Sequence, residues 1–215
     1  MALPSKEELD EALSIRHGFE IHNILKRAVI GIAGLGGLGS NIAVMLARAG
    51  ITKLVLADFD TVELSNINRQ NYYLEQIGEA KTDATEETLL KINPYISIEK
   101  HKVRLEPANI PGIFGECRVV CEAFDAPSEK AMLINTILEK CPGITVVSGS
   151  GMAGYGRSNK IKTEKMFKGL YMCGDGIDME GVDGGLMSPR VNICAGHMAN
   201  TVVSILMKEA RKYDR

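Results

Sequence analysis

The chain lacks several features that would place it in other classes of protein. It has 215 residues, no tryptophan and 5% aromatic residues, which disfavours a surface built to stack nucleic-acid bases. Its formal net charge is only −2, so no strong field attracts nucleic acid or an anionic membrane. No apolar run approaches the length that crosses a bilayer. We therefore expect a globular protein with no membrane segment and no nucleic-acid partner.

Cysteines are few, odd in number and widely spaced. No C-x-x-C pair occurs among the five cysteines, and the four histidines are scattered without metal-ligand spacing. This usage disfavours a zinc ribbon and a disulfide scaffold, and it predicts a reducing, cytoplasmic setting. The first eight residues are polar and acidic, which is not the pattern of a secretory signal peptide.

The most informative feature is a glycine-rich turn after an apolar strand. Residues 29–33 form the apolar run, and a G-x-G-x-x-G motif follows at once. The first glycine permits a tight turn, the second lets the backbone approach a phosphate, and the third lets helix and strand pack closely. The helix that follows presents free N–H groups and a partial positive charge to an anion. The predicted phosphate cradle comprises Gly34, Gly36, Gly37, Leu38 and Gly39.

An acidic residue completes this nucleotide fingerprint. Asp58 lies nineteen residues after Gly39, at the end of a second apolar strand over residues 54–57. A carboxylate at this place can accept hydrogen bonds from two ribose hydroxyls. The strand, the turn and the acid together predict nucleotide binding, while the motif by itself leaves NAD and ATP both open.

The next segment favours a triphosphate. Asn66, Asn68, Arg69 and Gln70 lie just beyond the ribose acid, and Lys81 begins a helix after a short turn. Arginine offers a planar fork to phosphate oxygens, and two cations beside a phosphate cradle suit a triphosphate better than a nicotinamide. Taken singly, either cation would be an ordinary solvated charge.

Asp125 is a candidate metal ligand. It follows the predicted fourth strand, at the edge where ligands bind in open α/β sheets. One carboxylate there is enough for Mg²⁺, which keeps several waters and takes phosphates as further ligands. The alternative role is to cap the helix that begins near Pro127.

Strands and helices alternate along the chain. This alternation predicts a Rossmann-like α/β fold, with a doubly wound, mostly parallel sheet flanked by helices. We expect one domain over residues 1–215, made of N-terminal helices (1–27), a nucleotide-binding core (28–148), a glycine-rich loop region (149–187) and a C-terminal helix (188–215). The predicted helices are 5–14, 17–26, 37–49, 81–92, 127–140 and 188–212. The predicted strands are 28–33, 53–57, 96–100, 118–121 and 145–148, with 160–163 and 170–172 as short candidates.

Taken in order, these motifs resemble the adenylation domain of the ThiF/MoeB/ubiquitin-activating enzyme superfamily. The resemblance rests on the glycine motif, on the D-F-D and S-N-I-N-R-Q runs of residues 58–70, and on Lys81 and Asp125. It extends to I-N-P at residues 92–94 and to M-S-P before the last helix, and so covers nearly the whole chain. The short length and the run S-G-S-G-M-A-G-Y-G look closest to the short, second-type ThiF proteins.

The resemblance implies an activity and its partners. Members of this superfamily bind Mg·ATP and the C-terminal Gly-Gly tail of a small ubiquitin-fold carrier. For the short ThiF proteins that carrier is the sulfur carrier ThiS of thiamine thiazole biosynthesis. The carrier's terminal carboxylate attacks the α-phosphate, which gives an acyl-adenylate and pyrophosphate. The resemblance also implies a homodimer, and a carrier of the molybdopterin type is an alternative.

The resemblance assigns roles to individual residues by position. Asp58 would hold the ribose and Asp125 would hold Mg²⁺. The other implied nucleotide ligands are Asp60 and, at the phosphates, Asn66, Arg69 and Lys81. Arg16 lies where relatives carry an arginine that reaches the neighbouring subunit's ATP. The relatives' R-Y-x-R-Q-like run is S-I-R-H-G here, so a simple surface charge is an equal alternative.

Two departures from the family pattern concern sulfur. Longer members carry two C-x-x-C pairs for structural zinc, and this chain has none, so we expect no zinc. Some relatives use a loop cysteine to form an acyl-disulfide with the carrier. Cys173, in the glycine-rich region, is the candidate for such an exposed thiol, while a structural or incidental cysteine is the default interpretation. The cysteines expected in the core are Cys117, Cys121, Cys141 and Cys194.

Three other functions remain open from the sequence. An NAD-dependent oxidoreductase would share the glycine motif, but Arg69 and Lys81 argue against it. A relative that adenylates modified tRNA is possible within the superfamily, although the near-neutral charge disfavours it. A scaffold that binds nucleotide without catalysis would not need Arg69, Lys81 and Asp125 together.

Overall fold

The computed structural model describes residues 3–177 and 185–213, with backbone alone for residues 211–213. The described residues form a sheet of seven strands in the order β3-β2-β1-β4-β5-β7-β6. The strands are β1 Val29–Ala33, β2 Lys53–Ala57, β3 Ser97–His101, β4 Val119–Glu122, β5 Thr145–Ser150, β6 Lys162–Phe167 and β7 Leu170–Gly174. The helices are α1 Lys6–His17, α2 Phe19–Arg27, α3 Gly37–Arg48, α4 Lys81–Ile92, α5 Ile110–Phe114, α6 Pro127–Lys140 and α7 Ser188–Tyr213.

Side chains of the central strands alternate between the two faces of the sheet. In β1, Ile30 and Ile32 are fully buried in a core that includes residues of α3 and α7. Ala33 belongs to a second core, on the face that α5 and α6 cover. Because both faces are covered at the centre of the sheet, the parallel strands β1 and β2 are almost entirely apolar rather than alternating with polar residues. The predicted doubly wound α/β fold is confirmed.

The C-terminal half of the sheet is more regular than the sequence suggests. The short candidate strands at residues 160–163 and 170–172 lengthen into β6 and β7, which pair antiparallel with an irregularity near Lys165. β7 is parallel to β5, so it continues the main sheet, and β6 forms its exposed edge. Residues 178–184 of the predicted loop region lie outside the described residues.

The two N-terminal helices are joined by a buried polar contact. A capping box of Ser5 and Glu8 begins α1, which ends about one turn later than predicted. His22 of α2 is buried and its Nε2 lies 3.2 Å from the Asp10 carboxylate of α1, which Lys26 also contacts. Burial alone would raise the pKa of Asp10, but the hydrogen bonds from Lys26 and His22 outweigh it and hold that pKa below its usual value.

No helix within residues 3–177 and 185–213 combines the length and apolar character needed to cross a bilayer. The division of the chain into domain segments stays a prediction.

We expect the substitution Asp10→Asn to loosen α1 from α2. At neutral pH it should lower the free energy of unfolding by about 1 kcal/mol, since a partly exposed ion pair contributes no more than that. Because the folded-state pKa of Asp10 is depressed, this contribution exists above the unfolded pKa of about 3.9 and disappears as pH falls through the folded pKa. Urea denaturation at several pH values measures it. Glu11→Gln, at an exposed neighbour, is the control, and an equal effect of both substitutions would contradict the assignment.

Candidate nucleotide-binding site

A cavity of about 170 Å³ opens at the carboxyl ends of β1, β2 and β4. It brings together residues from segments that are far apart in the sequence. The predicted site residues that line it are Gly34, Gly36, Asp58, Asp60, Lys81 and Asp125. This is the edge where open parallel sheets bind their ligands, because the strand ends diverge and the following helices begin there.

The glycine turn leaves no room for a side chain at Gly34 or Gly39. Gly34 has a φ of +87°, and a Cβ on Gly39 would lie 1.8 Å from the carbonyl oxygen of Gly34. α3 begins at Gly37, and no side chain caps its N-terminus at Gly36. Its first-turn N–H groups therefore remain for an anion. The side chain of Leu38 is buried in the core, so only its backbone can serve the cradle.

Asp58 ties the glycine turn to the end of β2. One carboxylate oxygen accepts the N–H of Leu35 at 2.6 Å, and the other accepts the N–H of Asp60 at 2.8 Å. The carboxylate is buried, with 8% of the residue exposed, and both bonds fix its direction. Each oxygen has a second lone pair, which leaves acceptor sites for ribose hydroxyls.

The peptide of Leu35 is held from its other side by Tyr72. The Tyr72 hydroxyl donates to the Leu35 carbonyl at 2.7 Å and lies 3.2 Å from the hydroxyl of Thr85 in α4. Burial raises the pKa of Tyr72, so its hydroxyl stays a donor. Tyr72 was not among the residues predicted for the site, because a single tyrosine in a polar loop carries no recognisable spacing.

Lys81 is a buried cation at the start of α4. Only 6% of the residue is exposed, and its Nζ lies 2.8 Å from the carboxylate of Asp60. Asp60 is itself half exposed, so the pair sits at the cavity wall with the lysine on the inner side. Asp60 is thus the partner of Lys81, and an incoming phosphate would compete with it for the ammonium group.

Asn66 and Arg69 lie beside the cavity and do not line it. Asn66 is buried in a short turn, where its side chain accepts the N–H of Glu63. Arg69 donates to the carbonyl of Ser65, and its aliphatic carbons lie 3.6 Å from where a Cβ of Gly37 would be. The aliphatic part of Arg69 therefore lies next to the N-terminus of α3, and its guanidinium group is held by protein acceptors that a phosphate could replace.

The turn after Arg69 also contributes an unsatisfied polar group. Gln70 is buried, and its Nε2 lies 3.9 Å from the position of a Cβ on Gly36. Its Oε1 has no hydrogen-bond partner in the described part of the chain.

Asp125 is exposed at the end of β4 and faces the cavity. The residue that precedes α6 is Ala126, without a side-chain cap, so the capping role considered for Asp125 is wrong. Its carboxylate accepts no hydrogen bond from the residues that the structure describes, and it is free to bind a cation. Those residues contain no cluster of three or more His, Cys, Asp or Glu side chains able to hold a metal. One protein carboxylate with phosphates and waters is a ligand set that fits Mg²⁺.

The structure contradicts the exposed position expected for the Cys173 thiol. The exposed loop thiol predicted at Cys173 is wrong: the residue lies on β7 and is fully buried. Burial raises its pKa, and hydrogen bonds with Thr163 and Thr201 offset this only in part. Pairing of β7 with its neighbours places Cys173 in a strand, although its glycine-rich surroundings had indicated a loop.

Arg16 is exposed in the last turn of α1 and does not line the cavity.

Part of the cavity wall consists of three side chains that contact one another: Phe59, Arg104 and Glu129. The guanidinium carbon of Arg104 lies 4.4 Å from the centre of the Phe59 ring, and its Nη1 lies 2.7 Å from Glu129 of α6. Apolar side chains continue this wall: Val103, Leu105 and Met132. The cavity is thus lined by charged groups such as Lys81 and also by apolar side chains, which suit a base.

Comparisons with known proteins agree with this geometry. The adenylyltransferase and sulfurtransferase UBA4 of Eremothecium gossypii is 33% identical over 190 residues, which are 85% of this chain and 42% of that protein. The ubiquitin-like modifier-activating enzyme 5 of Dictyostelium discoideum is 51% identical over 83 residues, or 39% of this chain and 22% of that protein. The chain spans less than half the length of these curated relatives.

A solved structure shows the same fold over the whole chain. The tRNA N6-threonylcarbamoyladenosine dehydratase TcdA of E. coli, in complex with AMP, superposes with a TM-score of 0.84 at 21% identity, covering 99% of this chain and 100% of that one. At that identity the likeness concerns the fold alone. Residues 14–214 match the ThiF family, which is nearly the full length. Because this match covers most of its length, the chain belongs to the ThiF family.

Proposed function

We propose that this protein is an ATP-dependent adenylyltransferase, acting on the C-terminal glycine carboxylate of a ubiquitin-fold carrier. The observation that carries the proposal is the cavity itself, where uncapped helix amides, a buried lysine and a free carboxylate surround one space. Such a set stabilises a polyphosphate, whereas a nicotinamide needs none of these charges. The names of the matched relatives, an adenylyltransferase and a ubiquitin-like modifier-activating enzyme, support the same reaction class.

Each residue has a defined task in this proposal. Asp58 would orient the ribose, and the amides of the glycine turn would hold the phosphates. Lys81 would exchange Asp60 for a phosphate oxygen, and Arg69 would exchange the Ser65 carbonyl in the same way. The attacking carboxylate is already ionised at neutral pH, so no general base is required. Catalysis is then neutralisation of charge and alignment of the carboxylate with the α-phosphate.

Mg²⁺ would be held by Asp125, where it would neutralise phosphate charge while the pyrophosphate leaves. Asp125 has both carboxylate oxygens available for this task.

The carrier that we favour is ThiS, in thiamine thiazole synthesis, because the chain resembles the short ThiF proteins. A molybdopterin-type carrier and a modified tRNA are the alternatives that the experiment must separate. We also propose a homodimer in which Arg16 reaches the partner's nucleotide, since Arg16 is exposed and lies outside its own cavity. All five cysteines are free, which supports the proposed cytoplasmic location.

The experiment is exchange of labelled pyrophosphate into ATP, with and without a ThiS-like carrier that ends in Gly-Gly. The same carrier without its last two residues is the matched control. Exchange that depends on the intact tail supports carrier adenylation, and a molybdopterin-type carrier in parallel tests the choice of partner. ATP binding without exchange, for every carrier, would redirect the proposal to tRNA. Binding of NAD in place of ATP would overturn it.

The substitutions Arg69→Ala and Asp125→Ala should each lower carrier-dependent exchange by about 100-fold or more, since each removes charge stabilisation from the reacting phosphates. Arg48→Ala, at an exposed position in the last turn of α3, is the matched control and should retain wild-type exchange. Rates are compared on proteins whose circular dichroism spectra agree. Survival of exchange in both variants would remove these residues from the site.

Cys173→Ala should leave adenylation intact, because the thiol is buried and mostly protonated at neutral pH. Iodoacetamide should label Cys173 slowly in the native protein and quickly in urea, as read by mass spectrometry. Rapid native labelling, or a large loss of exchange in the variant, would give this thiol a role that its burial argues against.

The purified protein should contain no stoichiometric zinc, since the chain has no C-x-x-C pair. Elemental analysis of protein prepared without chelators tests this directly, and one zinc per chain would contradict it.

A further inference from the structure

An ion pair between a fully buried carboxylate and a partly buried lysine lies beside the loop that carries Asp125. Glu122, the last residue of β4, is 0% exposed and accepts four hydrogen bonds. One carboxylate oxygen accepts the N–H of Phe124 at 2.7 Å and the ammonium group of Lys130 at 3.0 Å. The other accepts Lys130 at 2.9 Å and the hydroxyl of Ser148, in β5, at 2.5 Å. The carboxylate is therefore fully used inside the protein.

The hydrogen-bond capacity of the Lys130 ammonium group is also fully used inside the protein. Besides the two oxygens of Glu122, its ammonium group donates to the carbonyl oxygen of Phe124 at 2.7 Å. An ammonium group has three protons, so these three contacts leave none for a ligand. Lys130 is thus unlike Lys81, whose ammonium group contacts only Asp60 among the described residues, a contact that a phosphate can replace. We therefore give Lys130 no direct contact with nucleotide.

The ion pair holds both polar groups of Phe124, the residue immediately before Asp125. Glu122 accepts its N–H, and Lys130 donates to its carbonyl. From the opposite side, the Phe124 ring and the carbonyl of Ala123 lie 3.0 Å from where a Cβ of Gly34 would be. The backbone that presents Asp125 is consequently fixed against the glycine turn, although the Asp125 side chain makes no hydrogen bond within the described residues.

We propose that Glu122 and Lys130 are positioning residues, which set the direction of Asp125 in the nucleotide site. This inference rests on the proposed function, because it gives Asp125 its task there. A buried ion pair adds little net stability compared with apolar residues of similar size. An ion pair at this place therefore points to a role in geometry, since small displacements of a catalytic group are costly in rate.

The test is a double-mutant cycle between Lys130→Met and Asp125→Asn, read by pyrophosphate exchange. Lys130→Met alone should lower exchange by about 10-fold to 100-fold, because a shift of about 1 Å in a catalytic group costs this much. In the Asp125→Asn background the same change should lower exchange by less than about threefold, since no carboxylate remains to be positioned. Equal effects in both backgrounds would overturn the proposal, as would no effect of Lys130→Met in the wild type.

Two further variants distinguish a positioning role of Lys130 from a role in stability alone. Lys130→Met leaves Glu122 buried without its cation and can weaken the fold, so Glu122→Gln with Lys130→Met removes both charges together. This neutral double variant should unfold cooperatively near the wild-type temperature yet still need several-fold more Mg²⁺ for half-maximal exchange. Lys140→Met, at the exposed end of the same helix, is the matched control and should change neither quantity. A neutral double variant with unchanged Mg²⁺ dependence would overturn the proposal.

Measuring nucleotide binding distinguishes failure of this positioning role from failure of the proposed reaction. Titration calorimetry with Mg·ATP, repeated across the four proteins of the cycle, reads the coupling between Lys130 and Asp125 without any carrier. Wild-type protein that binds Mg·ATP but shows no exchange rejects the proposed reaction, while the binding cycle still decides the positioning role. Wild-type protein that does not bind Mg·ATP overturns both.

Discussion

The hydrogen bond from the Leu35 N–H to the Asp58 carboxylate is the interaction on which the site depends. It fastens the turn after β1 to the end of β2, and Tyr72 holds the carbonyl of the same residue from the side of α4. Three elements are therefore locked around one peptide. The close packing of Gly39 on Gly34 then fixes where α3 begins, and with it the amides that face the cavity. Displacing this peptide would move the Asp58 carboxylate and the N-terminus of α3 together.

The charges of the site are arranged in two ways. Lys81 and Arg69 make contacts that an anion can replace, with Asp60 and with the Ser65 carbonyl. Lys130, in contrast, spends all its protons on internal acceptors. Contacts of the first kind keep a cation oriented until a ligand arrives, and those of the second kind hold backbone in place. The distinction follows from hydrogen-bond capacity, because a saturated ammonium group cannot bind phosphate without losing a buried partner.

Sequence patterns predicted the central sheet well where a strand is buried on both faces. The boundaries predicted for the strand at residues 53–57 and the helix at residues 81–92 match the structure, since apolar runs and a following proline mark them clearly. The glycine-rich region was harder to interpret. Cys173 was expected in a loop and lies in β7, because pairing with β5 and β6 supplies hydrogen bonds that no local pattern reveals. Asp58, Lys81 and Asp125 were identified from spacing, whereas Tyr72 and Lys130 carried no signal.

The sequence by itself determined the chemistry available to this protein: a glycine turn that only unsubstituted backbone can form, an acid after the second strand, and two cations beside them. These depend on local spacing along the chain, which one sequence displays. The tertiary structure decided which of those groups are free. It buried Cys173, paired Lys81 with Asp60, left the Asp125 carboxylate open and set Glu122 with Lys130 beneath it. Burial and partnership arise from contacts between distant segments, so they become visible only when the strands lie side by side.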